Sequence, residues 1–353
     1  MLLLILIIKT VFIYTNSNIL QFNINGTREI NFYLDETRKF RLSIDLEDTI
    51  SSISDLLNET ELVDSKDSVH KYPGSFFIDS NQQQITCEIC FQLYGDDILS
   101  LSHKPLNTQY SIVHIMQSQN LISNKQFALE LNENKTNQHL FFGGVPSQTL
   151  KQYSKGITVS ADPSKNEGQR EYWGFNVKYL QIQTNTFKLN RTCFLSIDHG
   201  SIVSNRNFYE WMKSNTFEEY LNTGECYEKG EYYKSVHCKA EVFSKLPSLW
   251  IVLNEKPLEK IEIKFRNVTD SNEVNFVYNP AIDDDDFIFI NRNIFYEKIV
   301  KFDYDKNEIT FYEKGNVVNK TKVKVLVIVS LILNFVFCVY LGTLLINNKL
   351  NIF

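Results

Sequence analysis

The chain has 353 residues and a formal net charge of −6, from 36 basic and 42 acidic side chains. No lysine- or arginine-rich stripe stands out in the sequence, which argues against nucleic acid as a partner. The length predicts two folding units of ordinary size or one bilobal unit, and the 26 Phe and 18 Tyr residues favour half-buried strands over helical bundles.

An apolar segment opens the chain and is typical of a secretory signal peptide. The sequence "MLLLILIIKTVFIYTNS" covers 1–17 and closes on small polar residues, although Lys9 interrupts its apolar run. We therefore expect a signal peptide over 1–17 and a body that enters the secretory pathway.

The body consists mostly of short stretches in which apolar and polar residues alternate. Examples are "EINFYLDE", "QFALELNE" and "KIEIKFRN", and turn-rich segments such as "ENKTNQ" separate such stretches. A period of two with β-branched and aromatic residues predicts strands. The best helix candidate is 207–222, "NFYEWMKSNTFEEYLN". The sequence therefore predicts an all-β body.

The letters Leu-Ser-Ile-Asp occur twice, in "KFRLSIDLEDTISS" and in "CFLSIDHGSIVSNRNFYEWM". Each time an apolar strand leads to an aspartate, Asp45 in the first case and Asp198 in the second. Three further segments lie between the two runs: "CFQLYGDD", "NLISNKQFALELNENKTNQHLFFGGVPSQ" and "EYWGFNVKYLQI". Two more come after the second run: "GEYYKSVHCKAEVFSKLPSLWIVLNEKPL" and "FIFINRNIFYEKIVKFDYDKNEITFYE".

This order of landmarks resembles pepsin-like aspartic proteases over nearly the whole body. The resemblance implies an all-β, bilobal fold with a deep cleft between an N-terminal lobe over 18–168 and a C-terminal lobe over 169–315. A polypeptide substrate or ligand would lie in that cleft. No cofactor is implied.

The resemblance also implies the chemistry of the site. Asp45 and Asp198 would share one proton, because two like charges that are close together do not both ionise. The ionised carboxylate would activate a water molecule, and the protonated one would hydrogen-bond the developing oxyanion. Tyr94 and Gly95 would form the flap over the substrate, and Gly200 would keep the tight turn of the second aspartate loop.

Several positions depart from the pattern of the family, in which Thr-Gly follows each aspartate. Leu46-Glu47 follows the first aspartate, and His199 follows the second. Asn291-Arg292 stands where the family usually has Gly-Asp in a closing strand. Two functions therefore stay open: an aspartic endopeptidase, or a catalytically impaired relative that binds polypeptides as a surface glycoprotein.

Cysteines and sequons agree with an oxidising compartment. A single Cys87-x-x-Cys90 lacks a second ligand pair at zinc spacing, so no metal site is predicted. The resemblance implies a Cys226–Cys238 bridge and leaves the pairing of Cys87, Cys90 and Cys193 open. We expect glycosylation at the five sequons that are well separated from the C-terminal apolar segment, Asn25, Asn58, Asn134, Asn190 and Asn267.

The C-terminal part contains an uncharged apolar stretch over 325–346, which is long enough to span a bilayer as a helix. We expect a short stalk over 316–324 before it and a tail over 347–353 after it. The lysines of the stalk locally oppose the positive-inside tendency, but the signal peptide places the body outside. The sequence thus predicts a monomeric, single-pass type I membrane protein of the cell surface or an acidic endomembrane compartment.

Overall fold

The computed structural model describes most of the body of the chain. The described residues are 19–24, 28–33, 39–46, 69–78, 83–92, 98–102, 111–132, 134–162, 172–189, 192–197, 201–255, 258–265, 276–282, 288–315 and 337. The predicted signal peptide, stalk and tail lie outside them, as does the predicted membrane helix apart from Phe337. In the part of the chain that is described, helices are too short or too polar to cross a membrane.

Strands dominate the described residues, as the alternating sequence pattern predicts. In chain order they are β1 (Leu20–Asn23), β2 (Glu29–Tyr33), β3 (Lys39–Asp45), β4 (Val69–Ile78), β5 (Gln83–Gln92), β6 (Ile98–Ser100), β7 (Gln126–Glu130), β8 (His139–Phe142), β9 (Ile157–Ser160), β10 (Gly174–Asn176), β11 (Tyr179–Ile182), β12 (Asn185–Phe187), β13 (Thr192–Leu195), β14 (Ile202–Ser204), β15 (Cys226–Lys229), β16 (Lys234–Cys238), β17 (Leu249–Glu255), β18 (Leu258–Ile263), β19 (Phe276–Tyr278), β20 (Ile288–Ile290), β21 (Lys298–Asp303) and β22 (Glu308–Glu313).

Among the residues that the structure describes, helices are few and short. They are α1 (Ile112–Ser118), α2 (Ser147–Leu150), α3 (Arg206–Met212) and α4 (Glu218–Asn222), with a π-helical turn at Lys213–Phe217 and 3-10 turns at Ala240–Lys245, Pro280–Ile282 and Arg292–Ile294. The helix expected over 207–222 is confirmed, because α3 continues through the π-helical turn into α4. The Asn205 side chain caps its start by accepting a hydrogen bond from the Phe208 N–H at 3.0 Å.

The described strands form four sheets, and three of these sheets take their strands from one half of the chain only. The order β5-β4-β2-β3-β6 forms a sheet from the first half alone, and the orders β10-β13-β20-β14-β19-β16-β15 and β12-β11-β17-β18 form two sheets from the second half. The fourth sheet has six strands in the order β1-β8-β7-β21-β22-β9, and these strands come from both halves. In this joint sheet β7 pairs antiparallel with β21, which ties the two halves together.

The Phe-Gly-Gly stretch after β8 shows how the sequence dictates a local turn. Gly143 and Gly144 have φ values of 83° and 133°, in the region that residues with a Cβ atom rarely adopt. Two consecutive glycines therefore let the chain leave the sheet directly behind the buried Phe142.

A central aromatic cluster (Phe127, Trp173, Phe302 and Tyr304) packs on the joint sheet, to which Phe127 of β7 and Phe302 of β21 belong. The ring centroids of Phe127 and Phe302 lie 4.5 Å apart, and those of Trp173 and Phe302 lie 4.9 Å apart. Trp173 Nε1 donates to the Leu101 carbonyl at 2.8 Å, and the Tyr304 hydroxyl donates to the Ser102 carbonyl at 2.8 Å. Both bonds hold the segment that directly follows β6.

We expect Trp173→Phe to lower the free energy of unfolding, because the carbonyl of the buried Leu101 loses the hydrogen bond from the indole N–H. An unsatisfied buried acceptor costs about 1–3 kcal/mol, and the smaller ring adds a packing loss. Denaturant unfolding of the full chain measures the change. Trp250→Phe, at a partly exposed tryptophan that lies under Lys260, should cost less, and an equal loss in the two variants would contradict the role of Trp173.

A second polar arrangement lies on the joint sheet, where Glu130 of β7 pairs with His139 of β8 in the strand register. His139 Nδ1 lies 2.8 Å from Glu130 Oε2, and the Tyr153 hydroxyl donates to Glu130 Oε1. Burial alone would raise the pKa of Glu130, but these hydrogen bonds and the charges of His139 and Lys314 lower it below its ordinary value.

A carboxyl group whose pKa is lowered by folding stabilises the folded state above its unfolded pKa, and this contribution is lost as the pH falls through the folded pKa. The difference in unfolding free energy between the wild type and Glu130→Gln should therefore shrink from neutral to strongly acidic pH. Chemical denaturation across that range measures it. Glu241→Gln, at an exposed position, serves as the control, and a difference for Glu130→Gln that does not depend on pH would refute the expectation.

Candidate functional site

Asp45 is the last residue of β3 and is only 5% exposed. β3 lies between β2 and β6, and its parallel pairing with β6 sets Asp45 opposite Ser100. The Leu101 N–H donates to the Asp45 carbonyl at 2.7 Å. Since successive side chains of a strand alternate between its faces, Asp45 points away from the face that buries Ile44.

The second Leu-Ser-Ile run has the same kind of surroundings. β13 pairs in parallel with β20, and the Ser196 N–H donates to the Ile290 carbonyl at 3.0 Å. Ser196 and Ile197 are both buried. Both runs therefore end beside a parallel neighbour from the same half of the chain. Asp198 and Gly200 lie outside the described residues, so their position relative to Asp45 stays a prediction.

The predicted flap follows a long hairpin. β4 and β5 pair antiparallel along their whole length, and Cys87 and Cys90 both belong to β5. Tyr94 and Gly95, which come after the end of β5, lie outside the described residues, and their role in a flap stays a prediction.

Leu46 occupies the position that has a threonine in the family pattern. It is 1% exposed and belongs to the hydrophobic core. Its side chain cannot donate or accept a hydrogen bond, so the hydroxyl contact of the family pattern is replaced by apolar packing. Glu47 and His199 lie outside the described residues.

Arg292 places a buried positive charge beside the second Leu-Ser-Ile run. It lies in the 3-10 turn Arg292–Ile294 and is only 7% exposed. Its Nε and Nη2 atoms donate to the Ile197 carbonyl at 3.2 and 3.0 Å. That carbonyl belongs to the peptide bond that joins Ile197 to Asp198, so the guanidinium contacts the backbone at the start of the predicted second aspartate loop. The sequence shows Arg292 as a departure from the pattern, but it does not show this contact.

The Cys226–Cys238 disulfide is confirmed. Its sulfur atoms are 2.01 Å apart, and it joins β15 to β16 at directly opposed positions. Cys193 is a buried free thiol, and burial raises its pKa well above the ordinary value. The side chains of Cys87 and Cys90 lie outside what the structure describes, so their pairing stays open.

Two further predictions concern glycosylation and metals. Asn134 lies in an exposed turn between β7 and β8, where a glycan would meet no buried surface. The sequons at Asn25, Asn58, Asn190 and Asn267 lie outside the described residues. Among the residues that are described, no group of three or more His, Cys, Asp or Glu side chains is arranged to hold a metal ion.

Comparison with known proteins gives a family and a fold. Residues 70–313 match the family model of eukaryotic aspartyl proteases. The structure is similar to that of conglutin gamma, a basic 7S globulin from lupine seeds, with a TM-score of 0.59 and 12% identity over 84% of this chain and 95% of that one. It is also similar to basic 7S globulin from soybean, with a TM-score of 0.61 and 12% identity over 84% of this chain and 94% of that one. No curated protein sequence matches the chain. The predicted mainly β, pepsin-like fold is thereby confirmed.

We expect Leu46→Thr to lower the free energy of unfolding by about 2–4 kcal/mol, as large-to-small core substitutions do, because Leu46 is fully packed. Leu46→Met, which roughly conserves volume, should cost less than about 1.5 kcal/mol. Denaturant unfolding of both variants measures the difference. If Leu46→Thr loses no more unfolding free energy than Leu46→Met, the position accepts a hydroxyl as the family pattern does. The apolar packing of Leu46 would then not be required for stability.

Proposed function

Because the chain belongs to the eukaryotic aspartyl protease family, we propose that it is a polypeptide-binding protein with impaired peptide-bond hydrolysis. An extended polypeptide would lie in the cleft between the two lobes, facing Asp45 and Asp198. The observation that carries the impairment is the hydrogen bonding of the buried Arg292 guanidinium to the Ile197 carbonyl, in the peptide bond that joins Ile197 to Asp198.

The charge of Arg292 opposes the protonation state that the reaction needs. Two neighbouring carboxyl groups can act as acid and base only while they share one proton. A fixed cation close to one carboxyl group favours its ionised form, and arginine keeps its charge at every working pH. Our proposal is that this cation removes the shared proton and with it the acid that would stabilise the oxyanion.

Leu46 weakens the site in a second way. Catalysis of this kind depends on hydrogen-bonding groups that are already oriented before the reaction starts. The position after Asp45 is occupied by an apolar side chain that is 1% exposed, so a donor is missing where the family pattern supplies a hydroxyl. Substrate binding requires neither this hydroxyl nor a shared proton.

Aspartic endopeptidase activity through Asp45 and Asp198 is the second candidate function. It is favoured by the burial of Asp45 at the end of β3 and by the matching parallel pairs β3–β6 and β13–β20. If the two aspartates do meet, slow hydrolysis at acidic pH would be the result.

We also propose that the chain is a monomeric, single-pass type I membrane glycoprotein of the secretory pathway. The uncharged stretch over 325–346 and the apolar segment over 1–17 support this placement. The exposed sequon at Asn134 agrees with a body outside the cytosol.

We expect the purified full chain to bind a fluorescent unfolded polypeptide without cleaving it between mildly and strongly acidic pH. Fluorescence anisotropy measures binding, and mass spectrometry of new termini, with and without pepstatin, measures cleavage. Asp198→Asn should bind as the wild type does, because the carboxyl charge is dispensable for holding an extended backbone.

Other outcomes separate the two candidates. Pepstatin-sensitive cleavage that is lost in both Asp45→Asn and Asp198→Asn would replace the binding function by the endopeptidase. Absence of both binding and cleavage would reject both. Arg292→Gln, which keeps hydrogen-bond donors but removes the charge, should increase any pepstatin-sensitive cleavage if the cation is the cause of the impairment.

A further inference from the structure

A serine and a histidine are in direct contact on β16. Ser235 Oγ lies 2.7 Å from His237 Nε2, which is within hydrogen-bond distance. The two residues are two positions apart in the strand, so their side chains lie on the same face. A hydroxyl next to an imidazole nitrogen is the pairing by which a base activates a serine nucleophile. Neither residue belongs to the candidate site described above.

Two residues of β15 complete this face of the hairpin. Tyr227 stands directly opposite His237, and Lys229 stands directly opposite Ser235. The rings of Tyr227 and His237 are stacked, with their centroids 5.3 Å apart and their planes 15° apart. Stacking restricts the rotation of the imidazole, so its nitrogen stays directed at the serine. These four residues form what we call the hairpin face.

The hairpin face is open to solvent. β15 is the edge strand of its sheet, and every residue of the hairpin face is exposed or partly exposed. Tyr227 itself is 50% exposed. The Cys226–Cys238 disulfide joins the adjacent residue pair of the same two strands and so keeps them in register. A small molecule can therefore approach the hairpin face without any movement of the fold.

The contacts of the serine favour proton transfer to the imidazole. Ser235 Oγ also lies 3.4 Å from the Lys229 carbonyl, but this acceptor is much farther away than His237 Nε2. Among the described residues, no hydrogen bond or ion pair engages the Lys229 amine. A cation that no acid neutralises can stabilise the negative charge that develops on a carbonyl oxygen under attack.

We propose that Ser235 is an acyl-accepting nucleophile for small aryl esters, with His237 as its general base. The serine oxygen attacks the ester carbonyl carbon and forms a C–O bond, while the π electrons move to the carbonyl oxygen and Nε2 takes the hydroxyl proton. When the carbonyl re-forms, the bond to the aryl oxygen breaks, and the imidazolium gives its proton to the leaving phenol. Water then cleaves the acyl-serine to an acid and free serine, and no oxidant or reductant is required.

The other two residues of the hairpin face determine this substrate class. The half-exposed ring of Tyr227 offers a surface on which an aromatic group can stack. Lys229, opposite the serine, supplies the positive charge that a developing oxyanion requires. An open face offers little hold on an alkyl chain, so the reaction depends on an ester that already has a good leaving group.

The test uses the full chain and 4-nitrophenyl acetate at neutral pH. Absorbance of 4-nitrophenolate measures ester cleavage, and peptide mass spectrometry after an acid quench locates acetyl groups. Ser244 is the matched control, because it is an exposed serine whose hydroxyl donates to the Glu241 carbonyl. A positioned general base contributes about 100-fold or more in enzymes, so on this open face Ser235→Ala should remove at least about ten times more of the release rate than Ser244→Ala. Equal losses would overturn the proposal.

Further variants distinguish a catalytic pair from a structural contact. His237→Gln keeps a polar partner for the serine but removes the base, so it should slow ester cleavage about as much as Ser235→Ala. Adding it to Ser235→Ala should cause no further loss, since residues that act as a unit are not additive. Tyr227→Ala should slow cleavage more than Tyr232→Ala, at an exposed tyrosine that contacts Tyr233 instead.

Three outcomes would contradict the proposal: additive losses in the double variant, equal effects of the two tyrosine variants, or acetyl groups on His237 with none on Ser235 at any quench time. If a variant does not fold, the wild type still decides, because acetyl groups should appear on Ser235 before they appear on Ser244.

Discussion

The parallel pairing of β3 with β6, and of β13 with β20, is the constraint on which the candidate site depends. Main-chain hydrogen bonds fix where each Leu-Ser-Ile run ends, so the following aspartate loops start from defined points. The end of β6 is held in turn by the hydrogen bonds from Trp173 and Tyr304. The position of Asp45 therefore depends on packing that reaches into the second half of the chain.

Much of the fold could be predicted because its signals are local. A period of two marks most strands, and the apolar period of 207–222 marks the continuous helix. The repeated Leu-Ser-Ile-Asp run pointed to two equivalent strands, and their parallel neighbours agree with that interpretation. The Cys226–Cys238 pairing came from the resemblance to a family, because spacing alone does not determine connectivity.

The remaining features depend on contacts between distant residues. Arg292 and Ile197 are 95 positions apart, and nothing in the letters Asn-Arg-Asn indicates which carbonyl the guanidinium will meet. Burial likewise lowers the pKa of Lys298 at the start of β21, while nearby glutamates raise it, and the local sequence shows neither the burial nor these neighbours. Sequence patterns report which face of an element is apolar, but they do not report how one side chain in a turn is directed.

The joint sheet has a consequence for biosynthesis. Gln126 of β7 and Asp303 of β21 are neighbours in that sheet and lie 177 positions apart. During translation β7 must wait for almost the entire body to emerge before its partner strand arrives, and such non-local pairings form slowly. Until then the edge of β7 on that side is open to pairing with other chains. We expect the nascent chain to require chaperone protection over that interval.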